Sequence, residues 1–390
     1  MKNVKIIIGA NMGDEGKGAS VAHFTRKMRD DHHKAPLIIF HNGTAQRGHT
    51  VDYVNGYRHV FHHFGSGSLD GGRTFFAQDF LIHPMEYHRE WAEIAKKTGY
   101  ELPNTYCSPY CDVITPFDMM VDRATEEWIA IQAGEREHGS CGFGSWCAVE
   151  GRLPMARSNY KIIDWIKATR EEYEAMMRVV WNDCIEVLDK RGVDIEKTSY
   201  KYFIHKVNRD TTVDHFWEDL KFFAYHNELK DWLSIWKEFD DFIFENGQGL
   251  GLDKDVDNDW HTTSYTGLTN PINMLAGPAT VDFNAEVCYA TRSYATRHGK
   301  GPLADEVHKK EINADMFDKT NIFNDFQGGL RYGYLNDRDM QERINKDWVK
   351  VARDNRFTKS MIITHCNEFP DEKKDSKYYS DNPFEIKERK

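Results

Sequence analysis

Short apolar runs that empty into glycine-rich or polar loops recur along the chain, and this alternation sets the first expectation. Residues 4–8, 36–40, 242–244, 287–296 and 360–364 are rich in β-branched and aromatic side chains and read as buried strands. The loops that follow them are 9–18, 41–51, 245–249, 297–302 and 365–367. Helical spacing appears at 85–97, at 116–134 with Thr115 as N-cap and Pro116 in the first turn, and at 160–191. In the last of these, Ile162, Ile163, Trp165, Ile166, Tyr173, Met176, Met177 and Val180 form a stripe that reads as core. The basic, His-rich stretch 26–34 reads as a solvated turn. Glycine loops recurring after strands predict an α/β fold: a single large domain over 1–367 with a mostly parallel central sheet, a P-loop-like first loop and flanking helices. Beyond it, 368–390 reads as a charged tail. There is no internal repeat and no linker long enough to divide the chain.

Composition narrows the class. With 390 residues, 40% of them hydrophobic, the chain can bury a large core. A net charge of −11 without a basic block argues against a nucleic-acid partner. The seven cysteines show no C-x-x-C spacing and read as reduced thiols. The chain starts in a core strand and has no apolar run of membrane-spanning length, so a soluble cytoplasmic protein is expected. His62 and His63 are adjacent on a strand-like segment and face opposite ways, which argues against a metal pair.

The first loop carries the chemistry. A strand, the glycine-rich segment 9–18 and a helix make a phosphate cradle, with Lys17 as the cation. A Walker A pattern would need Gly at Asn11 and Ser or Thr at Gly18. Asp14 and Glu15 put carboxylates where a plain cradle avoids like charge, so one of them is either a Mg²⁺ ligand or a base aimed at substrate. A second small-residue loop, 139–146, offers hydroxyls suited to phosphate or ribose.

The string Gly13-Asp14-Glu15-Gly16-Lys17-Gly18 resembles the signature loop of the adenylosuccinate synthetases. Three further stretches resemble that family in the same order: Gly48-His49-Thr50-Val51 its G-H-T-V, Glu245-Asn246-Gly247-Gln248-Gly249 its E-G-A-Q-G, and residues 294–302 its Y-S-T-R-V-G-A-G-P. The resemblance spans roughly 4–367. It implies a homodimeric ligase in which a 6-oxopurine nucleotide loses its N1 proton, O6 takes the γ-phosphoryl group of a triphosphate, and L-aspartate displaces phosphate from C6. It further implies Asp14 as base and Mg²⁺ ligand, the Gly48 carbonyl as a second ligand, His49 as acid, and Lys17 as the neutralising cation. Gly13, Glu15, Gly16, Gly18, Gly48 and Thr50 would surround the triphosphate. Gln248 would face the purine, and Gln46, Ser140 and Thr262 the 5′-phosphate, with Asn11, Cys141 and Arg297 nearby. Arg152 or Arg157 would reach a neighbouring subunit's phosphate.

Three departures from the family pattern bear on substrate. Its guanine-reading T-K-x-D stands here as Thr364-His365-Cys366-Asn367. Asp offers two acceptors to guanine, whereas Asn offers one donor and one acceptor, which suits adenine. The sequence also ends soon after, where the family continues into a second guanine-closing motif, and the expected donor is ATP rather than GTP. The arginine-rich T-T-G-R-x-R-R loop is shortened to 326–335, leaving Arg331 as the carboxylate clamp and no clear arginine for a ribose 2′-hydroxyl. The G-T-T-G-R-G phosphate loop is replaced by 139–144. Together these resemble the bacteriophage branch, the N6-succino-2-amino-2′-deoxyadenylate synthases, which use dGMP. Asp14 points back to the ordinary IMP enzymes, because that branch more often carries Ser there.

Overall fold

The structure is a computed structural model that describes residues 1–134, 142–256, 262–277, 282–299, 301–315, 321, 328–369 and 376–389. Its strands are β1 (Lys2–Gly9), β2 (Leu37–Phe40), β3 (His49–Asp52), β4 (Arg58–Phe61), β5 (Arg73–Phe76), β6 (Thr105–Cys107), β7 (Asn227–Leu229), β8 (Asp241–Gly249), β9 (Phe283–Arg292), β10 (Ala295–His298), β11 (Glu306–Val307), β12 (Leu330–Gly333), β13 (Phe357–Thr364), β14 (Tyr378–Tyr379) and β15 (Lys387–Glu388). Ten of them form one sheet in the order β15-β14-β13-β9-β1-β8-β2-β5-β6-β7, parallel except for the β14–β15 pair. Among the described residues no helix is long and apolar enough to cross a membrane.

The mostly apolar run of β1, interrupted only by Lys5 from Val4 to Ile8, follows from its place between β8 and β9. Val4, Ile6 and Ile8 pack on one side with Leu37, Phe244 and Val287. Ile7 packs on the other, with Val21 and Phe24 of helix α1 (Lys17–His32). Because the inner strands run parallel, the loops after β1, β2, β8, β9 and β13 leave from one edge of the sheet, where open α/β folds bind ligands. Helix α2 (Pro84–Thr98) and helix α3 (Pro116–Ala133) lie where the helical spacing puts them, and Thr115 and Asp118 form the capping box of α3.

Three sequence expectations need correction. The stretch 26–34 is not a turn: α1 runs on to His32, its last turns polar because they project into solvent. Residues 245–249 are not a loop, since β8 continues through Gly249 with a bulge opposite Ile8. Residues 287–296 are not one strand. The chain turns at Ser293 and Tyr294, and β10 joins β12 and β11 in a separate antiparallel sheet.

The charged tail also folds. β14 adds parallel to β13; Ser380 donates to the Ile363 carbonyl at 2.9 Å, and the Cys366 amide donates back to Ser380 at 2.9 Å. Beneath it, Glu286 of β9 accepts from Lys377 at 2.8 Å, from Lys5 and from Ser360. Burial works against the charged carboxylate, but the bonds from Lys377, Lys5 and Ser360 prevail and bring its pKa down to about 2. A depressed carboxyl pKa contributes stability that is present above the ordinary value of 4.5 and is lost as pH falls through about 2. Urea midpoints of the native protein and Glu286→Gln should therefore differ at neutral pH and converge through that window. A constant difference would show that this ion pair does not tie the tail to the sheet.

Candidate active site

Gly13, Asp14 and Gly16 all take positive φ, at 113°, 57° and 78°, which folds the first loop back on itself. Glycine adopts this freely; for Asp14 it costs about 1–2 kcal/mol and must be held by its surroundings. Arg292 does so by donating Nε–H to the Asp14 carbonyl, and His298 Nε2 lies 3.2 Å from Asp14 Oδ2.

The two adjacent carboxylates separate at once. Glu15 turns inward and is buried, accepting from the Asn11 amide at 2.9 Å, the Gly13 amide at 3.0 Å and Lys17 Nζ at 2.7 Å. Asp14 turns outward with about a fifth of its side chain (21%) exposed. Burial alone would raise its pKa, but His298, Arg292 and Lys17 outweigh burial and hold it well below the carboxylate range. Asp14 is therefore the accessible carboxylate of the pair.

Gly18 stands where a Walker loop has a hydroxyl, and the reason is steric. A Cβ there would come within 3.0 Å of the His49 backbone and the Thr50 carbonyl, because β3 crosses the start of α1. This crossing brings Gly48, His49 and Thr50 beside the loop. His49 is buried, and its Nδ1 is 2.6 Å from Glu245 Oε1. Glu245 also accepts from the Ser66 amide at 3.0 Å. Burial lowers the His49 pKa, and Glu245 stays charged because His49 and Arg47 outweigh its own burial. His49 thus donates Nδ1–H to the carboxylate and keeps Nε2 without a hydrogen-bond partner among the described residues.

On the β2–β8 side lies a cleft lined by Asn42, Thr44, Gln46, Ser145, Gln248, Thr262, Thr263 and Ser264. Gln248 Oε1 would sit 3.2 Å from a Cβ on Gly13, which puts this cleft against the Asp14 loop. Ser145 donates to Gln46 at 2.8 Å. Ser140 and Cys141 lie outside the described residues, as do His261, Phe326 and Gln327. On the other side, Thr364 donates to the Glu15 carbonyl at 3.2 Å, so the segment 364–367 abuts the phosphate loop. Asn367 is exposed at its end.

Several residues serve the site differently from their sequence reading. Arg152 is buried, with Nε 2.7 Å and Nη2 2.9 Å from the Asp118 carboxylate, and does not face a neighbouring subunit. Arg331 pairs with Glu306 and donates to the Gly299 and Gly301 carbonyls at 3.0 and 2.8 Å, so it braces the small sheet. Arg297 is buried and donates to the Pro302 carbonyl at 3.1 Å. Asn11 donates to Thr291 at 2.8 Å and accepts from Arg343, which makes it part of the loop's frame. Asn42, Ser145, Glu245, Arg292, His298 and Arg343 were not singled out as site residues. Glu245 and His298 fall inside quoted motifs and carried that signal; Arg343 had none.

Moving a phosphoryl group calls for a cation, a braced histidine and an outward carboxylate around one anion cradle, and the class defined here is a nucleotide-dependent α/β enzyme. The family model described as adenylosuccinate synthetase matches residues 6–336. The chain belongs to that family and is a carbon–nitrogen ligase of its type. It is 26% identical to the adenylosuccinate synthetase of Pseudomonas fluorescens (strain SBW25) over 340 residues, 85% of this chain and 71% of that one. Among solved structures, the fully ligated adenylosuccinate synthetase from Plasmodium falciparum aligns at TM-score 0.64 and 17% identity, covering 94% of this chain and 77% of that one. The cyanophage S-2L succinoaminodeoxyadenylate synthetase (PurZ), bound to dGMP and dATP, aligns at TM-score 0.64 and 13% identity, covering 100% and 95%. At these identities the two structures speak for the shared fold.

Glu245→Gln keeps the shape but removes the charge that orients His49. It should lower kcat about 10- to 100-fold with little change in KM, measured as phosphate release at saturating substrates. An unchanged kcat would reduce Glu245 to a packing role.

Proposed function

We propose that the enzyme joins L-aspartate to C6 of dGMP with hydrolysis of ATP, giving N6-succino-2-amino-2′-deoxyadenylate. The observation that carries the choice of triphosphate is Asn367, exposed in the loop after β13, whose last residue, Thr364, touches the phosphate loop, and with no side-chain hydrogen bond among the described residues. Its amide pairs one donor and one acceptor with adenine's edge. The deoxy preference is supported by Arg331: the shortened loop's arginine is held by Glu306 and two carbonyls, which leaves none from that loop for a 2′-hydroxyl. The cyanophage protein of the same fold is bound to dGMP and dATP, in keeping with this reading.

In this mechanism Asp14 takes the N1 proton and negative charge collects on O6. O6 then bonds to the γ-phosphorus as the bond to ADP breaks, with Lys17 and His49 offsetting the moving charge. The aspartate amine next bonds to C6, and phosphate leaves with the oxygen. The family depends on Mg²⁺ and a nucleoside triphosphate. The Asp14 carboxylate and the carbonyl of the exposed residue Gly48 are hard oxygens of the kind Mg²⁺ takes, and they lie on segments brought together where β3 crosses α1. When bound, Mg²⁺ neutralises phosphate charge. The reading includes a homodimer in which the exposed Arg157, not Arg152, meets the neighbouring subunit.

The second reading is an ordinary synthetase using IMP and GTP, favoured by Asp14 and by the names of the curated relatives. Phosphate release with L-aspartate and Mg²⁺, crossing dGMP, GMP, dIMP and IMP with ATP and GTP, separates the two. Turnover confined to dGMP with ATP is expected; strong turnover with IMP and GTP would establish the second reading. Asp14→Ala should abolish turnover with every pair. Asn367→Asp should shift the kcat/KM ratio of GTP to ATP upward at least about tenfold, and an unmoved ratio would remove Asn367 from base recognition.

A further inference from the structure

A base must do more than be ionised, because one of its oxygens has to meet the proton it removes. Asp14 is poorly placed to manage this alone. It sits at φ 57° in a loop with glycine on both sides of the Asp14–Glu15 pair, and the last torsion of a carboxylate is soft. A partner on one oxygen would fix where the other points.

His298 is such a partner. Its Nε2 lies 3.2 Å from Asp14 Oδ2, an ion-pair contact, and hydrogen-bonds Asn321 Oδ1 at 2.9 Å, which fixes the ring against the carboxylate. The imidazole is carried on a short strand whose register is set on both sides. β10 pairs with β12 through His298 opposite Leu330, and Thr296 Oγ1 donates to the Gly13 carbonyl at 3.4 Å, one residue before Asp14. The family pattern quoted above has valine at this point, Y-S-T-R-V-G, whereas this chain reads Tyr294-Ala295-Thr296-Arg297-His298-Gly299. Valine cannot donate a hydrogen bond, so the device belongs to this chain and not to the motif.

We infer that His298 is a positioning residue for the proton-abstracting step: its imidazole, lodged against Asp14 Oδ2, holds that oxygen and leaves Oδ1 to receive the proton from N1 of the purine. The inference rests on Asp14 being the base. Only one proton moves, from N1 to Oδ1, and the charge it leaves collects on O6. A hydrogen bond to the carboxylate weakens it as a base, so the benefit is geometric. A reacting pair held in line gains effective concentration that a freely rotating carboxylate lacks.

Three variants test this: His298→Phe keeps a planar ring without a donor, His298→Val installs the family residue, and His298→Gln restores an amide donor. The expected result is a kcat lower by about 10- to 100-fold in the first two, with KM for the purine nucleotide, its calorimetric affinity and the thermal midpoint little changed. His298→Gln should recover most of the loss. Wild-type kcat in His298→Phe or His298→Val would overturn the inference. So would a loss shared by KM and thermal midpoint that glutamine does not rescue, since that is the mark of a merely structural residue. Asp14→Ala run alongside separates the two claims: if it retains turnover, the base assignment fails; if it is dead while His298→Phe runs normally, only the positioning claim fails.

Discussion

A carboxylate buried inside its own phosphate loop is the constraint on which this site depends. Glu15 fills the space where loop amides and Lys17 converge, satisfying two backbone donors and one ammonium. An uncompensated charge there would be prohibitive, and three charge-assisted or backbone bonds make it tolerable. The surrounding sequence is shaped to admit it. A Cβ on Gly9 would come within 2.2 Å of the Glu15 carboxylate, and one on Gly249 within 2.5 Å, so both strands flanking the loop end in glycine. With Glu15 turned in, the next residue back must turn out. That is how Asp14 comes to face the site in a conformation that only its neighbours make sustainable.

Those neighbours form two carboxylate–imidazole pairs of opposite polarity. In one, Glu245 is fully buried and His49 is the member with an open nitrogen. In the other, His298 comes from the small sheet and Asp14 is the member whose second oxygen, Oδ1, has no side-chain partner among the described residues. The same contact therefore yields an oriented imidazole on the β8 side of the loop and an oriented carboxylate on the β10 side. Both supports enter from strands distant in sequence, Glu245 lying 196 residues from His49. The parallel sheet makes this workable, because strand ends far apart in the chain finish at one edge.

What the sequence made legible follows from this physics. Strands buried on both faces leave short apolar runs, such as Ile6-Ile7-Ile8, Leu37-Ile38-Ile39-Phe40, Phe242-Ile243-Phe244 and Met361-Ile362-Ile363, so β1, β2, β8 and β13 were readable, and the polar or glycine-rich residues after those runs located the site. Polarity misled where a segment was regular but exposed, as in the last turns of α1. The break between β9 and β10 was hidden because Ser293 and Tyr294 are buried and no glycine or proline marks the turn. Charged residues were the hardest. Nothing local distinguishes Arg152, locked on Asp118, from an arginine awaiting phosphate. Arg343 reaches the loop from a helix, Asp337–Trp348, with no motif of its own. A hydrogen-bond partner is a three-dimensional fact, and a single sequence carries it only when spacing along one element enforces it.

The division of labour in the sheet explains why chemistry and specificity diverge along the chain. Glu15, Lys17, His49 and Glu245 sit on or against central strands, where a substitution would disturb the core as well as the reaction. Other polar residues sit further out. Asn367 lies in the loop after β13, which is held by Ser380 of the tail at the sheet's edge. Arg331 and His298 sit in the separate three-stranded sheet. An edge strand or a small accessory sheet can change its polar contacts without repacking the centre, because few buried apolar neighbours depend on it. Two of the departures from the family pattern, at Asn367 and around Arg331, fall in these outer segments, while the phosphate loop keeps its buried carboxylate. Polar contacts at the rim can therefore change while the centre stays as it is.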